Sequence, residues 1–456
     1  MKIVNFKLKI GFKNLKFTIY NLKFTILCIC FLFSASFSQG FHYTIGGGYT
    51  LSQALDLEKR KLYLGGTSQQ AIMIVPLDEQ GMPEGEPIIY PTEANCLSMA
   101  IYNDKLYVGN NQDQWLYIYS FDKHGLIIGT PTKALIATEG QGAYSIALDP
   151  ERRKLYVGNM SGGNNLCVYS LDKNGLPIGD PHLFTASGYT TSIALDPIHN
   201  KLYLAGYGGE NPFVCALKND GSLSGGGWSF GFGNLTYSLA LDIERKRLYL
   251  ANNSANDLSV VKLLDDGLPS TYTLYSFGGP SISLSLDKRK NKLYVGKNQA
   301  GNNLYVYSLD KFGDIKGTPT AHQLGGPTFS LCLGENLYLG NYSGANNLSI
   351  LKGDEMPHLL INQGTNTTST QDIEISLSSP NPHWIKVSGD LEAIYEPKIK
   401  LNEWVAVSSC KKIKARLSPK NGEKRIVFYF LSSTGFGNYT AVLKREEASI
   451  FLDIKE

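Results

Sequence analysis

The groups best suited to moving a proton are scattered in this 456-residue chain. Its seven histidines, His42, His124, His182, His199, His322, His358 and His383, are far apart in sequence, and none of the regularly spaced serines Ser52, Ser98, Ser145, Ser192, Ser238, Ser283 and Ser330 lies in the Gly-x-Ser-x-Gly turn that exposes a nucleophile. Arginine and lysine, which would hold a carboxylate or phosphate, gather instead in short runs: Glu58-Lys-Arg-Lys61, Glu151-Arg-Arg-Lys154, Glu244-Arg-Lys-Arg247 and Lys288-Arg-Lys-Asn-Lys292. A third group of segments is rich in Asn, Gly and Ser and poor in charge: Asn110 to Trp115, Asn159 to Asn165, Gly206 to Asn211, Asn252 to Asp257, Lys297 to Asn303 and Asn341 to Asn347. Aromatic residues accompany them: Trp115, Tyr144, Tyr189, Tyr207, Tyr237, Phe329 and Tyr342. Aromatic faces beside amides and hydroxyls suit a glycan or a protein surface better than they suit acid–base chemistry on an anion. Asp113, Glu210 and Asp257 add the carboxylates with which the same loops could hold calcium.

The elements that position these loops are set by a repeat. The phrase Lys-Leu-Tyr-Leu/Val-Gly, with small variations, starts at Lys61, Lys105, Lys154, Lys201, Arg247, Lys292 and Asn336, at spacings of 44, 49, 47, 46, 45 and 44 residues. That period fits a four-stranded propeller blade and is too long for a leucine-rich or ankyrin repeat. The stretch from Tyr144 to Thr185 shows one full unit, with four short alternating runs separated by turn residues. Each unit opens on a serine: Ser52, Ser98, Ser145, Ser192, Ser238, Ser283 and Ser330. The expected fold is therefore all-β, a seven-bladed propeller. The repeat tyrosines pack between blades with their hydroxyls paired, and the serines make structural hydrogen bonds.

Strand direction then sorts the loops. Connections between second and third strands, and from the fourth strand to the next blade, share one face, called the upper face here; it carries the neutral Asn-rich segments. The lower face carries the Arg and Lys hairpins. Ahead of Ser52, Phe41-His-Tyr-Thr-Ile-Gly-Gly-Gly48 looks like a fourth strand with no first three, so it should complete the last blade and remove an open edge. Met356-Pro-His-Leu-Leu-Ile361 is the other segment that could fill that place.

Residues 1–38 read as a secretory signal: six lysines precede the apolar run from Phe24 to Phe33, and small residues follow before Gln39. Without those six lysines, the net charge of +3 becomes −3, which argues against a nucleic-acid partner. The expectation is a secreted, periplasmic or cell-surface protein, monomeric, with no transmembrane span once the signal is removed. Cys96, Cys167, Cys215, Cys332 and Cys410 are odd in number and lack CxxC spacing, so they read as core thiols, not as a disulfide framework or zinc site.

After the propeller, residues 39–362, comes the polar, charge-free stretch 363–371, a linker. Residues 372–456 abandon the repeat and hold several short strand-like runs, expected to form a small β-sandwich.

Two resemblances extend this reading. Tyr107-Val-Gly-Asn110, Tyr156-Val-Gly-Asn159, Tyr249-Leu-Ala-Asn252 and Tyr338-Leu-Gly-Asn341, each before an Asn-rich turn, resemble the YVTN and lactonase-like seven-bladed propellers over residues 41–362. That scaffold hosts hydrolases, lyases and pure binders. Trp404, the run from Ala415 to Val427, and Gly437-Asn438 resemble bacterial immunoglobulin-like modules, which act as spacers or adhesive accessories. The enzymatic members that the first resemblance implies would be charged where this upper face is neutral. The expected function is binding of a glycan or protein partner at the cell envelope through the upper face. The alternatives are a lactonase- or lyase-like enzyme working at the top of the central channel, and a purely structural part of an envelope assembly.

Overall fold

The repeated phrase forms the second strand of a recurring four-stranded antiparallel sheet, as at Lys61–Gly65, Lys105–Gly109 and Lys154–Asn159. The structure, a computed structural model, describes residues 40–452 except 46–47, 68–69, 137–141, 161–162, 187, 207–210, 234, 255–256, 344, 354–358, 362–366, 378–383, 408–411 and 437–439. Free-standing quartets start at Ser98–Tyr102, Ala143–Asp149, Ser192–Asp196 and Ser281–Asp287, each with its strands hydrogen-bonded in chain order. Two more, starting at Ser52–Asp56 and Thr236–Asp242, keep that order but are joined through C-terminal strands. In the last quartet, Thr328–Leu333, Leu337–Asn341 and Leu348–Leu351 receive Gly40–Tyr43 as outermost strand, with Gly40 opposite Leu351 and Tyr43 opposite Leu348. The chain is thus all-β with the repeated sheets of a propeller, and the N-terminal strand supplies the missing edge. Leu359–Ile361, the other candidate for that edge, pairs with Asp372–Leu377, so the C-terminal sheet takes in a strand that the sequence assigned to the repeat region.

The repeat residues tie each quartet to the next. Tyr63, Tyr107, Tyr156, Tyr203 and Tyr249 are fully buried and donate their hydroxyls to the carbonyls of Gly125, Gly175, Gly221, Gly267 and Gly313, each in the turn between third and fourth strands of the following quartet. Tyr338 donates in the same way to Gly81, back in the first quartet, so the circuit closes. Those turns need glycine twice over. Gly175, for example, has φ +83°, and a Cβ there would lie 2.8 Å from the Tyr107 hydroxyl oxygen. The serines work alongside: Ser52, Ser98 and Ser283 donate to the carbonyls of Cys96, Ala143 and Thr328 in the next quartet. Gln53 crosses from the first quartet to Ser330, a second closure of the ring.

Lower-face charges are likewise built into the frame. Asp149, Asp242 and Asp287, buried at the ends of inner strands, accept backbone N–H groups from their own hairpins and pair with Arg152, Arg245 and Arg289. Arg152 and Arg245 reach on to Asn200 and Asn291 of the next quartet, and Arg247 holds Asp314 with two bonds of 2.9 and 3.0 Å. Cys96, Cys167, Cys215 and Cys332 are buried and unbridged, and burial pushes the first three thiols up to about 12, as expected of core residues. Cys410 lies outside the described residues.

The C-terminal part is a pair of sheets over its own apolar core. One has the order Leu359–Ile361, Asp372–Leu377, Lys412–Leu417, Leu391–Glu396, Lys398–Ile399. The other sets Trp384–Gly389 between Trp404–Ala406 and the long strand Gly422–Phe436. Strand Lys412–Leu417 shows why: its residues are alternately exposed and buried, and Ile413, Ala415 and Leu417 face Ile375, Ile385 and Phe428.

This module docks on the lower face. Trp384 is fully buried in the same apolar cluster as residues of the repeats, Trp404 and Ala406 pack against that cluster, and the Ala406 N–H donates to Glu151 Oε2 at 2.9 Å. Its longest hairpin, Gly422–Phe436 with Thr440–Leu452, does more. The first strand pairs antiparallel with Thr236–Asp242 (Ser238 opposite Phe436), and the second pairs parallel with Ser52–Asp56 (Leu55 opposite Val442). Inner strands of the other quartets also lie against it. The hairpin rises from the lower face along the axis of the ring, and its backbone occupies the central channel as far as the level of Ser238. Among the described residues no helix is long and apolar enough to cross a membrane.

Candidate binding face

The upper end of the ring is organised by asparagines, and nearly all their hydrogen-bonding capacity is spent inside the loops. Asn110 accepts the N–H groups of Gln112 and Asp113 and donates to Asp113 and to the Trp115 carbonyl. Asn252 and Asn341 occupy equivalent places and bind Thr236 and Ser259, and Thr328 and Ser349. In three loops a second asparagine clips the chain entering the next quartet: Asn165 holds both backbone groups of Ala186, Asn347 those of Ile45, and Asn303 those of Leu324. These buried amides make the turns and are not offered to a ligand.

The pattern gives way to charge at one pair of positions, whose meaning the sequence did not disclose. Lys297 stands where four other quartets have Asn110, Asn159, Asn252 and Asn341 and two have Gly66 and Gly206, and Asp257 stands where three others have Asn165, Asn303 and Asn347. The two side chains, 0 and 1% exposed, form an ion pair; Lys297 also donates to the Gly279 carbonyl at 3.1 Å and lies over the Tyr305 ring. Burial lowers the lysine pKa, and Asp257 acts against that shift. The paired exchange of two amides for two opposite charges was the available signal. It also removes Asp257 from the calcium ligands considered above. Asp113 is engaged too, accepting from Asn110, the Trp115 N–H and, at 2.6 Å, the Tyr117 hydroxyl. Glu210 lies outside the described residues. Among the described residues no cluster of three or more His, Cys, Asp or Glu could hold a metal ion.

The aromatic residues divide into those at the channel mouth and those away from it. Tyr144, Tyr237 and Phe329 each immediately precede a repeat serine, at a register shift in the first pairing of their quartet, and all three are half-buried. Such a bulge re-aims the side chain at the strand end. The Tyr144 hydroxyl bonds to the Asn111 side chain and lies near Tyr237; burial above all pushes its pKa up, so it remains a neutral donor at ordinary pH. Phe329 leans on Tyr342, with centroids 5.2 Å apart, and Tyr342, 43% exposed, stacks at 3.9 Å on Tyr49.

Tyr49 was missed in the sequence, although it sits three residues before Ser52 as Tyr189 sits before Ser192. The structure shows what these two share. The Tyr49 and Tyr189 carbonyls pass so close to Gly66 and Gly206 that a Cβ on either glycine would approach them to 1.6 or 1.7 Å. Trp115 is not at the mouth: it starts the third strand of its quartet, pairs with Leu135 and packs on the core. Tyr207 lies outside the described residues.

Several solved structures share this fold at low identity. A chain of the hydrazine synthase of Kuenenia stuttgartiensis aligns with TM-score 0.53 and 14% identity, covering 69% of this chain and 99% of that one. A candidate 6-phosphogluconolactonase from Bacteroides fragilis aligns with TM-score 0.53 and 12% identity over 71% and 92% of the two chains. The WD40 repeats of RRP9 align with TM-score 0.51 and 13% identity over 69% and 98%. At such identities the likeness is one of propeller fold, shared by enzymes and scaffolds alike. No protein-family model matches the chain, and no curated protein does.

Proposed function

We propose that the chain is a seven-bladed propeller with an immunoglobulin-like module docked beneath it, acting as a non-catalytic binding protein whose upper face takes a glycan or a protein partner. The observation that carries this reading is the hairpin in the channel. A lactonase-like site would use the mouth of an open channel, with a cation for the anion and a proton-transfer group beside it. Here the channel is occupied from below by the chain's own backbone up to Ser238, next to Tyr237. Above that level the mouth presents Tyr49, Tyr144, Tyr237, Phe329 and Tyr342, while Lys297 is held by Asp257. A shallow aromatic surface on a rigid ring suits stacking against a sugar ring or a partner's apolar patch. The N-terminal signal-like segment supports a secreted, periplasmic or surface location, with the protein monomeric.

Screening the protein against immobilised glycans and envelope extracts tests this reading. Binding without turnover is expected, and Tyr144→Ala with Tyr237→Ala should abolish it while Trp115→Ala leaves it nearly intact. Lactone hydrolysis that depends on any upper-face residue would overturn the proposal.

A further inference from the structure

Most lower-face cations are consumed by the clamps between quartets, but one cluster is not. Between the first two quartets and the docked module lies a cavity of about 750 Å³. Its wall carries Lys59, Arg60, Lys61, Lys123 and Lys386 against three carboxylates, Glu58, Glu84 and Asp104, with His124 beside them. Asp104 is already held by Lys59, which also lies over the Phe121 ring. Among the described residues, Lys61, Lys123 and Lys386 make no ion pair. Lys386 comes from the module and stands 5.0 Å from the centre of the Tyr429 ring and 5.7 Å from that of Trp404.

Lys61 and Lys123, free of ion pairs among the described residues, and Lys386, seated over the Trp404 and Tyr429 rings, converge from two parts of the chain on a recess of ligand size and form an electropositive pocket. An aromatic ring on one wall supplies a flat apolar face. We propose that this crevice binds a small anionic ligand through a phosphate, sulfate or carboxylate group, with Lys61, Lys123 and Lys386 as its charge partners and Tyr429 beneath its body. The site is separate from the upper face and does not depend on the reading given for that face. It also gives the docked module a role, since Lys386 and Tyr429 complete the wall.

The test is calorimetric titration of the protein at low salt with three probes: inorganic phosphate, inorganic sulfate and glucuronate. At least one should bind saturably, and the probe that does so identifies the charged group. Binding should weaken about tenfold in Lys123→Gln/Lys386→Gln and fall further as salt is added. Lys123 is exposed, so Lys123→Glu alone gives a second variant that keeps the fold and should also weaken binding. Failure of all three probes to saturate by about 10 mM, or binding unchanged in both variants, would overturn the proposal.

Discussion

Replacing Lys297 by methionine isolates the one buried charge pair among the described residues of the upper face. Lys297 and Asp257 are both within about a hundredth of full burial, and the carboxylate has two other contacts, to the Phe277 N–H at 3.2 Å from each oxygen. Methionine fills similar volume but leaves Asp257 as an uncompensated buried charge, which costs about 3–5 kcal/mol. For a cooperative unit of roughly 400 residues, at about 1–2 °C per kcal/mol, the melting temperature should fall by roughly 3–10 °C. The double variant Lys297→Asn/Asp257→Asn places at both positions the amides that several other quartets use. Asn165, Asn303 and Asn347 show that an amide oxygen at position 257 can accept the neighbouring N–H. The double variant should therefore melt within about 1 kcal/mol of the parent, because removing both members of a buried pair spares the penalty of an orphaned charge. Differential scanning calorimetry of parent, single and double variants reads this directly. A single variant as stable as the parent, or a double variant that falls as far as the single, would refute the reasoning.

Other consequences are open to the same kind of measurement. Tyr107→Phe removes the donor to the Gly175 carbonyl and leaves that buried acceptor unpaired, so urea unfolding should show a loss of about 1–3 kcal/mol; an unchanged midpoint would mean that the tyrosine hydroxyls do not hold the quartets together. Burial raises the Asp56 carboxyl to about 6, with Lys59 Nζ only at 3.9 Å and Oδ2 accepting no hydrogen bond. A raised folded-state pKa means that the stability this residue contributes is full below about pH 4 and is lost as pH rises through about 6. Asp56→Asn keeps an acceptor for the Lys59 N–H, and should gain up to about 2–3 kcal/mol on the parent between pH 4.5 and 7.5; a stability difference that does not change with pH would count against it.

The fold was largely legible because the repeat states it many times. A phrase recurring at a fixed period, a serine at each inner strand and a spare N-terminal strand all describe local pairing, and the structure pairs Gly40–Tyr43 with Leu348–Leu351 accordingly. The candidate site was less legible. Tyr144, Tyr237 and Phe329 could be placed at the mouth because the residue before each repeat serine has a fixed place. Trp115 could not, because a loop's neutral composition does not say which of its side chains turns inward to the core. Tyr49 stands three residues before Ser52, as Tyr189 stands before Ser192, but its place on the rim comes from its stacking on Tyr342, a contact between opposite ends of the ring's sequence. The course of the hairpin from Gly422 to Leu452 was invisible in sequence. Its continuous apolar run from Ile426 to Leu431 describes an ordinary buried strand, and only contacts between residues some two hundred and four hundred positions apart, such as Leu239 with Gly435 and Leu55 with Val442, put the hairpin in the channel.

That hairpin is the point on which the functional account turns, and a cross-link across it tests the account most directly. Leu239 and Gly435 face each other in antiparallel register, a geometry within reach of a disulfide when both are cysteine. Leu239→Cys/Gly435→Cys should oxidise to a single intrachain disulfide in the folded protein, leaving partner binding at the upper face intact. Two cysteines that stay reduced and react freely with a thiol reagent in the folded state would mean that the channel is open, and would contradict the account.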